Sequence, residues 1–300
     1  MRRGFLALSI LALLAPPTPG GAQVAAYRLD KVAAGVWLAV PAAPAHGAAN
    51  IPAIVTDQDV VLVGTHFTPA AARSLIAQLK TVTDKPVRFI VNTHYHAPQD
   101  ASKEAYPAGI EVIGHELARR TLLFDARGRP RPLNPAATLP TLGMTTRLSL
   151  YRGDREIRIL YLGRGHSDSD LVVFLPKEHI LCSGELLVGE LPDMSDANIG
   201  HWVSTLELLK TIDFQTVLPG RGAPFTGKDK ASALQSYLRD VLAQTTDLLN
   251  NGVPVDETAR RVDLTSHRKD FPEIRGPGVD VNAVKRVQTQ IEEPEPGWTQ

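Results

Sequence analysis

Apolar residues along this chain recur with two periods, and the alternation between them divides it into two batches of strands, each followed by helices. "NIPAIVTDQDVVLVG", residues 50–64, reads as strand, turn, strand, with Asp57 to Asp59 at the turn. "TPAAARSLIAQLKTVT" follows with helical spacing and a Thr68-Pro69 start. "KPVRFIVNTHYH" predicts a strand running into two histidines, and "GIEVIG" then "HELARRTLLFDAR" predicts strand and helix. Residues 126–143, "ARGRPRPLNPAATLPTLG", are rich in Pro and Gly and read as a long surface loop.

The second batch opens with two hairpins. "RLSLYRGDREIRILYL" turns at Gly153-Asp154, and "DLVVFLPKEHILCSG" turns near Lys177-Glu178. "NIGHWVSTLELLKTI" is an amphipathic helix, "FQTVLPGRG" one more strand with a Gly-flanked turn, and residues from 229 onward are helical with polar breaks. No internal repeat is visible. Two sheets with helices packed outside them suit this order.

Composition narrows the function. The chain has 300 residues, 43% hydrophobic and 21% charged, enough for a large core, and no block of like charge points to nucleic acid or to an anionic membrane surface. Residues 1–22 read as a signal peptide: Arg2 and Arg3, an apolar run from Phe5 to Ala15, then a small-residue cleavage site near Ala22. "RRGFL" also resembles the twin-arginine motif. The run is too short for a lasting membrane anchor, so the expected compartment is periplasmic or secreted. Cleavage would leave 30 basic against 32 acidic residues, about −2 net. Cys182 is the sole cysteine, which excludes an intrachain disulfide, and it reads as a buried thiol.

Candidate chemistry sits where apolar strands end. His94 and His96 follow one strand directly, and alternate residues of an extended segment point the same way, so both imidazoles can reach one ion. A His-x-His pair alone is a weak signal. "GRGHSDSD" adds His166 in a Gly-rich turn, "ILCSGELL" adds Glu185, and "TVLPGRG" adds Arg221 between two glycines. Four polar loops beside apolar strands would converge on one edge of a sandwich. Blander readings suit the rest. His115 is a structural residue, Asp168 and Asp170 serve turn hydrogen bonding, and His201 begins a helix. His46, His66, His179 and His267 are surface or turn residues, and Trp37 and Trp202 belong to the core.

The order and spacing of "NTHYH", "GRGHSDSD", "SGELL" and "LPGRG" resemble the metallo-β-lactamase superfamily across roughly residues 27 to 225. The resemblance implies a four-layer α/β/β/α sandwich of two mixed β-sheets with helices outside, and a metal site, usually zinc, on one edge. It divides the chain into the signal peptide, a metallo-β-lactamase-like domain over 23–228, and a C-terminal helical extension over 229–300 packed on that domain. His94, His96 and His166 match the three histidines that hold the family's first metal. Gly64 stands where an Asp would be, Pro98 and Gln99 replace an Asp and a His, Glu185 replaces the bridging Asp, and Arg221 replaces the last His.

Three neutral imidazoles are a known shell for catalytic zinc. Pro98 has no ligand atom and Arg221 is a fixed cation, so a second ion is not expected. The resulting expectation is one metal ion at most, zinc or iron if any, and a hydrolase of ester-, amide- or lactone-like bonds acting on a small molecule. His94, His96, His166, Glu185 and Arg221 form its site. The alternative is a non-catalytic relative that binds a ligand or partner in the old cleft. A direct Glu185–Arg221 salt bridge at the bottom of the cleft is expected in either case.

Overall fold

The computed structural model describes residues 27–42, 49–64, 69–96, 106, 109–125, 127–132 and 139–292. The expected leader over residues 1–22, His46, His66 and the stretch 97–100 with Pro98 and Gln99 lie outside them.

Seven strands stand side by side in the first sheet: β1 (Tyr27–Ala33), β2 (Val36–Pro41), β3 (Ile51–Val55), β4 (Val60–Val63), β5 (Val87–Asn92), β6 (Glu111–His115) and β7 (Leu142–Met144). β1 to β4 run antiparallel and β4 to β7 parallel, so the sheet is mixed. The second sheet holds β8 (Arg147–Arg152), β9 (Arg155–Tyr161), β10 (Leu171–Leu175), β11 (Ile180–Gly184), β12 (Thr216–Pro219) and β13 (Phe225–Thr226). Its β11 and β12 are parallel and its other neighbours antiparallel. The helices are α1 (Pro69–Leu79), α2 (Glu116–Leu123), α3 (Ile199–Leu209), α4 (Asp229–Asn250), α5 (Val255–Arg261) and α6 (Val281–Glu292).

Strand alternation sorts the apolar residues into three cores. Val60 and Leu62 of β4 pack outward with Ile51, Ile90 and Leu75 of α1, while Val61 and Val63 face inward. On the other side, Leu171, Val173 and Leu175 of β10 face inward with Cys182 and Leu218. Val172 and Phe174 face outward onto Trp202 of α3, Leu238 of α4 and Val287 of α6. Helix, sheet, sheet, helix is therefore the layer order. The C-terminal helices α4 and α6 share the outer core of the second sheet with α3.

Three features differ from the sequence reading. "YRLDKVAAGVWLAV" forms the β1–β2 hairpin, whose weak alternation gave no distinct signal; Gly35 turns it with φ 69°. The expected loop over 126–143 ends in β7, which extends the parallel edge beside β6. Its three residues, two of them exposed, are too few for a period-2 pattern to show. His267 lies in the single turn Thr265–His267, so the turn reading holds and the surface reading does not. It is buried against Tyr237, with its Nε2 2.7 Å from Asp240.

Candidate metal centre

His94 and His96 lie just past the end of β5, and His166 in the turn between β9 and β10. Both sheets thus deliver their strand ends to one edge. Backbone hydrogen bonds tie the edges together: Leu171 N donates to Thr93 O at 2.7 Å, and Asn50 N to Gly220 O at 2.7 Å. The turn carrying His166 needs glycine at 165, because a Cβ there would lie 2.4 Å from Leu186 and 3.1 Å from Trp202. Gly184, with φ 55°, lets β11 turn against Thr93 and present Glu185.

The three imidazoles converge. Their ligand nitrogens lie within 4.8 Å of one another, and His96 Nδ1 is 2.9 Å from His166 Nε2. His94 and His166 are buried and His96 is half-buried. The outward nitrogens are engaged as well. His166 Nδ1 is 3.0 Å from the Asp193 carbonyl, His96 Nε2 is 2.8 Å from Asp196 Oδ2, and His94 Nδ1 is 3.1 Å from Thr93 Oγ1.

Those partners fix the tautomers. A carbonyl only accepts, so His166 Nδ1 carries the proton and Nε2 the lone pair. The hydrogen bond from His96 holds the Asp196 carboxyl below its usual range, with lesser help from Tyr95 and Arg286, so His96 Nε2 donates to an ionised partner. His96 Nδ1 then also presents a lone pair when its ring is neutral. Two lone pairs 2.9 Å apart call for a cation beside them. Burial, with repulsion from His96, pushes the His166 imidazole down to about 3, so its Nε2 keeps its lone pair. A metal ion fits this donor set: three imidazole nitrogens within 4.8 Å of one another match the three-histidine shells that hold zinc in proteins.

A second ion does not fit the described residues. Gly64 offers no side chain, and Arg221 brings a permanent cation. Arg221 Nε donates to Glu185 Oε2 at 2.8 Å and lies 3.8 Å from Glu190 Oε1. Glu185 is on the floor with 7% of its side chain exposed, whereas Arg221 keeps 32%. Desolvation pushes the Glu185 carboxyl up, and the Arg221 guanidinium opposes that. Asn50 holds the Arg221 loop by donating to Pro219 O at 3.0 Å and Gly222 O at 2.8 Å. Beneath Glu185 and His94, beside Gly64 and Asn50, a cavity of about 10 Å³ has room for about one water.

A profile of the metallo-beta-lactamase superfamily matches residues 46–221. The chain belongs to the metallo-beta-lactamase superfamily. It is 22% identical over 297 residues to the linear primary-alkylsulfatase of Pseudomonas sp. (strain ATCC 19151), covering 82% of this chain and 56% of that protein. It is 26% identical over 174 residues to the metallo-beta-lactamase type 2 of Bacillus cereus, covering 56% of this chain and 64% of that protein. The chain thus spans less than two thirds of either relative. In structure it overlays the metallo-beta-lactamase from Pontibacter korlensis with a TM-score of 0.61 at 22% identity, covering 71% of this chain and 99% of that one. That likeness is one of fold.

Residues with bland readings behave accordingly. His115 caps α2, accepting from Leu117 N at 3.1 Å, and its Nε2 is 2.9 Å from Thr145 O. Asp170 accepts from Ser167 N and Oγ, both at 2.8 Å. His201 is exposed, with its Nδ1 on the cap residue Asn198. Trp202 is fully buried and half-buried Trp37 packs beside the outer core of the first sheet. Asp193 and Asp196 were missed. They lie in "LPDMSDANIG", whose acidic residues just before a helix look like ordinary capping, and which strand-end motifs do not mark.

Proposed function

We propose that this protein is an exported hydrolase of ester-, amide- or lactone-like bonds in a small molecule, with a mononuclear centre held by His94, His96 and His166. The observation that supports it best is the pair of inward-facing nitrogens on His96 and His166, each ring's other nitrogen being held by the 193–196 segment. An ion bound there, zinc or iron, would supply Lewis-acid polarisation and lower the pKa of a water.

The chain's own residues would do the rest. Asp196 and the Asp193 carbonyl hold two imidazoles in one tautomer and one orientation. Arg221, close enough to His166 to depress its basicity, places a positive charge beside the cluster, where charge developing on a substrate oxygen would be stabilised. Glu185 fixes the direction of that guanidinium. The relatives' names supply the test panel: linear alkyl sulfates and β-lactams, together with carboxylic esters and lactones.

Turnover of at least one class should be abolished by chelation and restored by zinc or iron, and His166→Ala should remove it. Turnover that survives both would refute the reading. The permanent Arg221–Glu185 pair in place of a second metal favours one rival, a non-catalytic ligand-binding protein. Silence of both the native protein and the triple variant Pro98→Asp/Gln99→His/Arg221→His across the panel would support that rival. Export is supported by the charged, apolar and small-residue order of residues 1–22, and fractionation of cells expressing the full chain tests it.

A further inference from the structure

We infer that the C-terminal helix α6 is a positioning element for the three-histidine cluster, acting through Arg286 and Gln290 on the segment 193–198. This rests on the mononuclear reading above and adds to it a part of the chain that lies beyond the superfamily match at 46–221.

The segment 193–198 touches the cluster twice. The Asp193 carbonyl takes the His166 Nδ1 hydrogen, and the Asp196 carboxylate takes the His96 Nε2 hydrogen, so one short stretch of backbone sets the orientation of two of the three rings. It ends at Asn198, the cap of α3. Between Asp196 and that cap lies Ala197, which is fully buried. Its carbonyl accepts from Arg286 Nε at 2.8 Å and from Gln290 Nε2 at 3.0 Å. Both donors sit on one face of α6, four residues apart. Two long-range donors on one carbonyl, reaching back 89 and 93 residues, clamp the segment directly beside the residue that holds His96.

The clamp itself stands on a firm base. Ala283, Val284 and Val287 of α6 are buried, and Ala283 and Val287 join the same core as Trp202 and Leu186. Trp202 closes the path back to the site: its ring lies 6.0 Å from His166, and its Nε1 donates to Leu186 O at 2.9 Å. Movement of α6 relative to the segment therefore shifts Asp196, and with it the ring of His96. Residues that orient a metal-binding histidine typically change metal affinity by about 10–100-fold when lost.

The test uses the full chain and zinc or cobalt(II) as probes. The zinc dissociation constant is measured by chelator competition, and the visible spectrum of the cobalt-loaded protein reports ligand geometry. Arg286→Ala and Gln290→Ala, which each leave Ala197 one donor, should weaken zinc binding by no more than about 3-fold. The double variant should weaken it by about 10–100-fold and alter the cobalt spectrum, with unfolding still cooperative. Lys285→Ala, exposed on the same helix, is the control and should change neither.

Native-like affinity and spectrum in the double variant, while His166→Ala abolishes binding, would overturn the clamp and leave the metal centre standing. Absence of zinc and cobalt binding in the native protein would overturn the metal reading and the inference with it. Should that double variant fail to fold, Arg286→Met/Gln290→Met, which keeps side chains of similar length without the donors, replaces it, and native-like affinity and spectrum there would refute the clamp in the same way.

Discussion

Arg221 and Glu185 form a pair that carries its own compensation. A carboxyl on the cleft floor without a partner would be costly, and the 2.8 Å hydrogen bond from Arg221 Nε supplies that partner. The guanidinium is not at the bottom, however. With a third of its side chain exposed it lies above Glu185, so solvent screens the pair and the cost of breaking it is smaller than for a fully buried one. Arg221→Ala should destabilise the fold by about 1–3 kcal/mol in urea unfolding, because Glu185 is left buried and unpaired. Adding Glu185→Gln to that variant should recover part of the loss. A change below about 0.5 kcal/mol would show a pair with no net effect. These two residues, and the three histidines, were legible because each stands at a strand end in a motif of characteristic order. Asp193, Asp196 and Arg286 were not, since their contribution depends on the fold bringing three distant segments together.

Elements with several apolar residues in register announced themselves: the β3–β4, β8–β9 and β10–β11 hairpins and helix α3 all follow their sequence period. β7 did not, because it is defined by its backbone partners on β6 rather than by side-chain alternation. The β6–α2 junction shows how a histidine can be conspicuous in sequence and still be structural. His115 ends β6 and caps α2 in the same residue, and its Nε2 meets Thr145 O just past β7. Burial lowers its imidazole below the ordinary value, partly offset by that carbonyl, so it acts as a neutral cap. His115→Ala should cost about 1–2 kcal/mol by removing the cap while leaving zinc affinity unchanged. Loss of metal binding in that variant would contradict its structural role.

Across the whole molecule, three apolar cores hold four layers, and the site lies on the edge where strand ends from both sheets meet. The layer order could be read from two batches of strands and helices. The shared core of α3 with α4 and α6 required the structure. Cys182 reports on the integrity of the layers between the sheets: it is fully buried in their common core, and desolvation pushes its thiol far up. A thiol reagent should therefore label it only at the rate of unfolding, with the same urea midpoint as loss of secondary structure. Labelling of the native protein within minutes would mean that the sheets open locally. A single-ion three-histidine centre can be checked by elemental analysis of the protein purified from its native compartment. About one transition metal per chain is expected, absent in His166→Ala and retained in His201→Ala. Two tightly held ions, or none in the native protein, would contradict it.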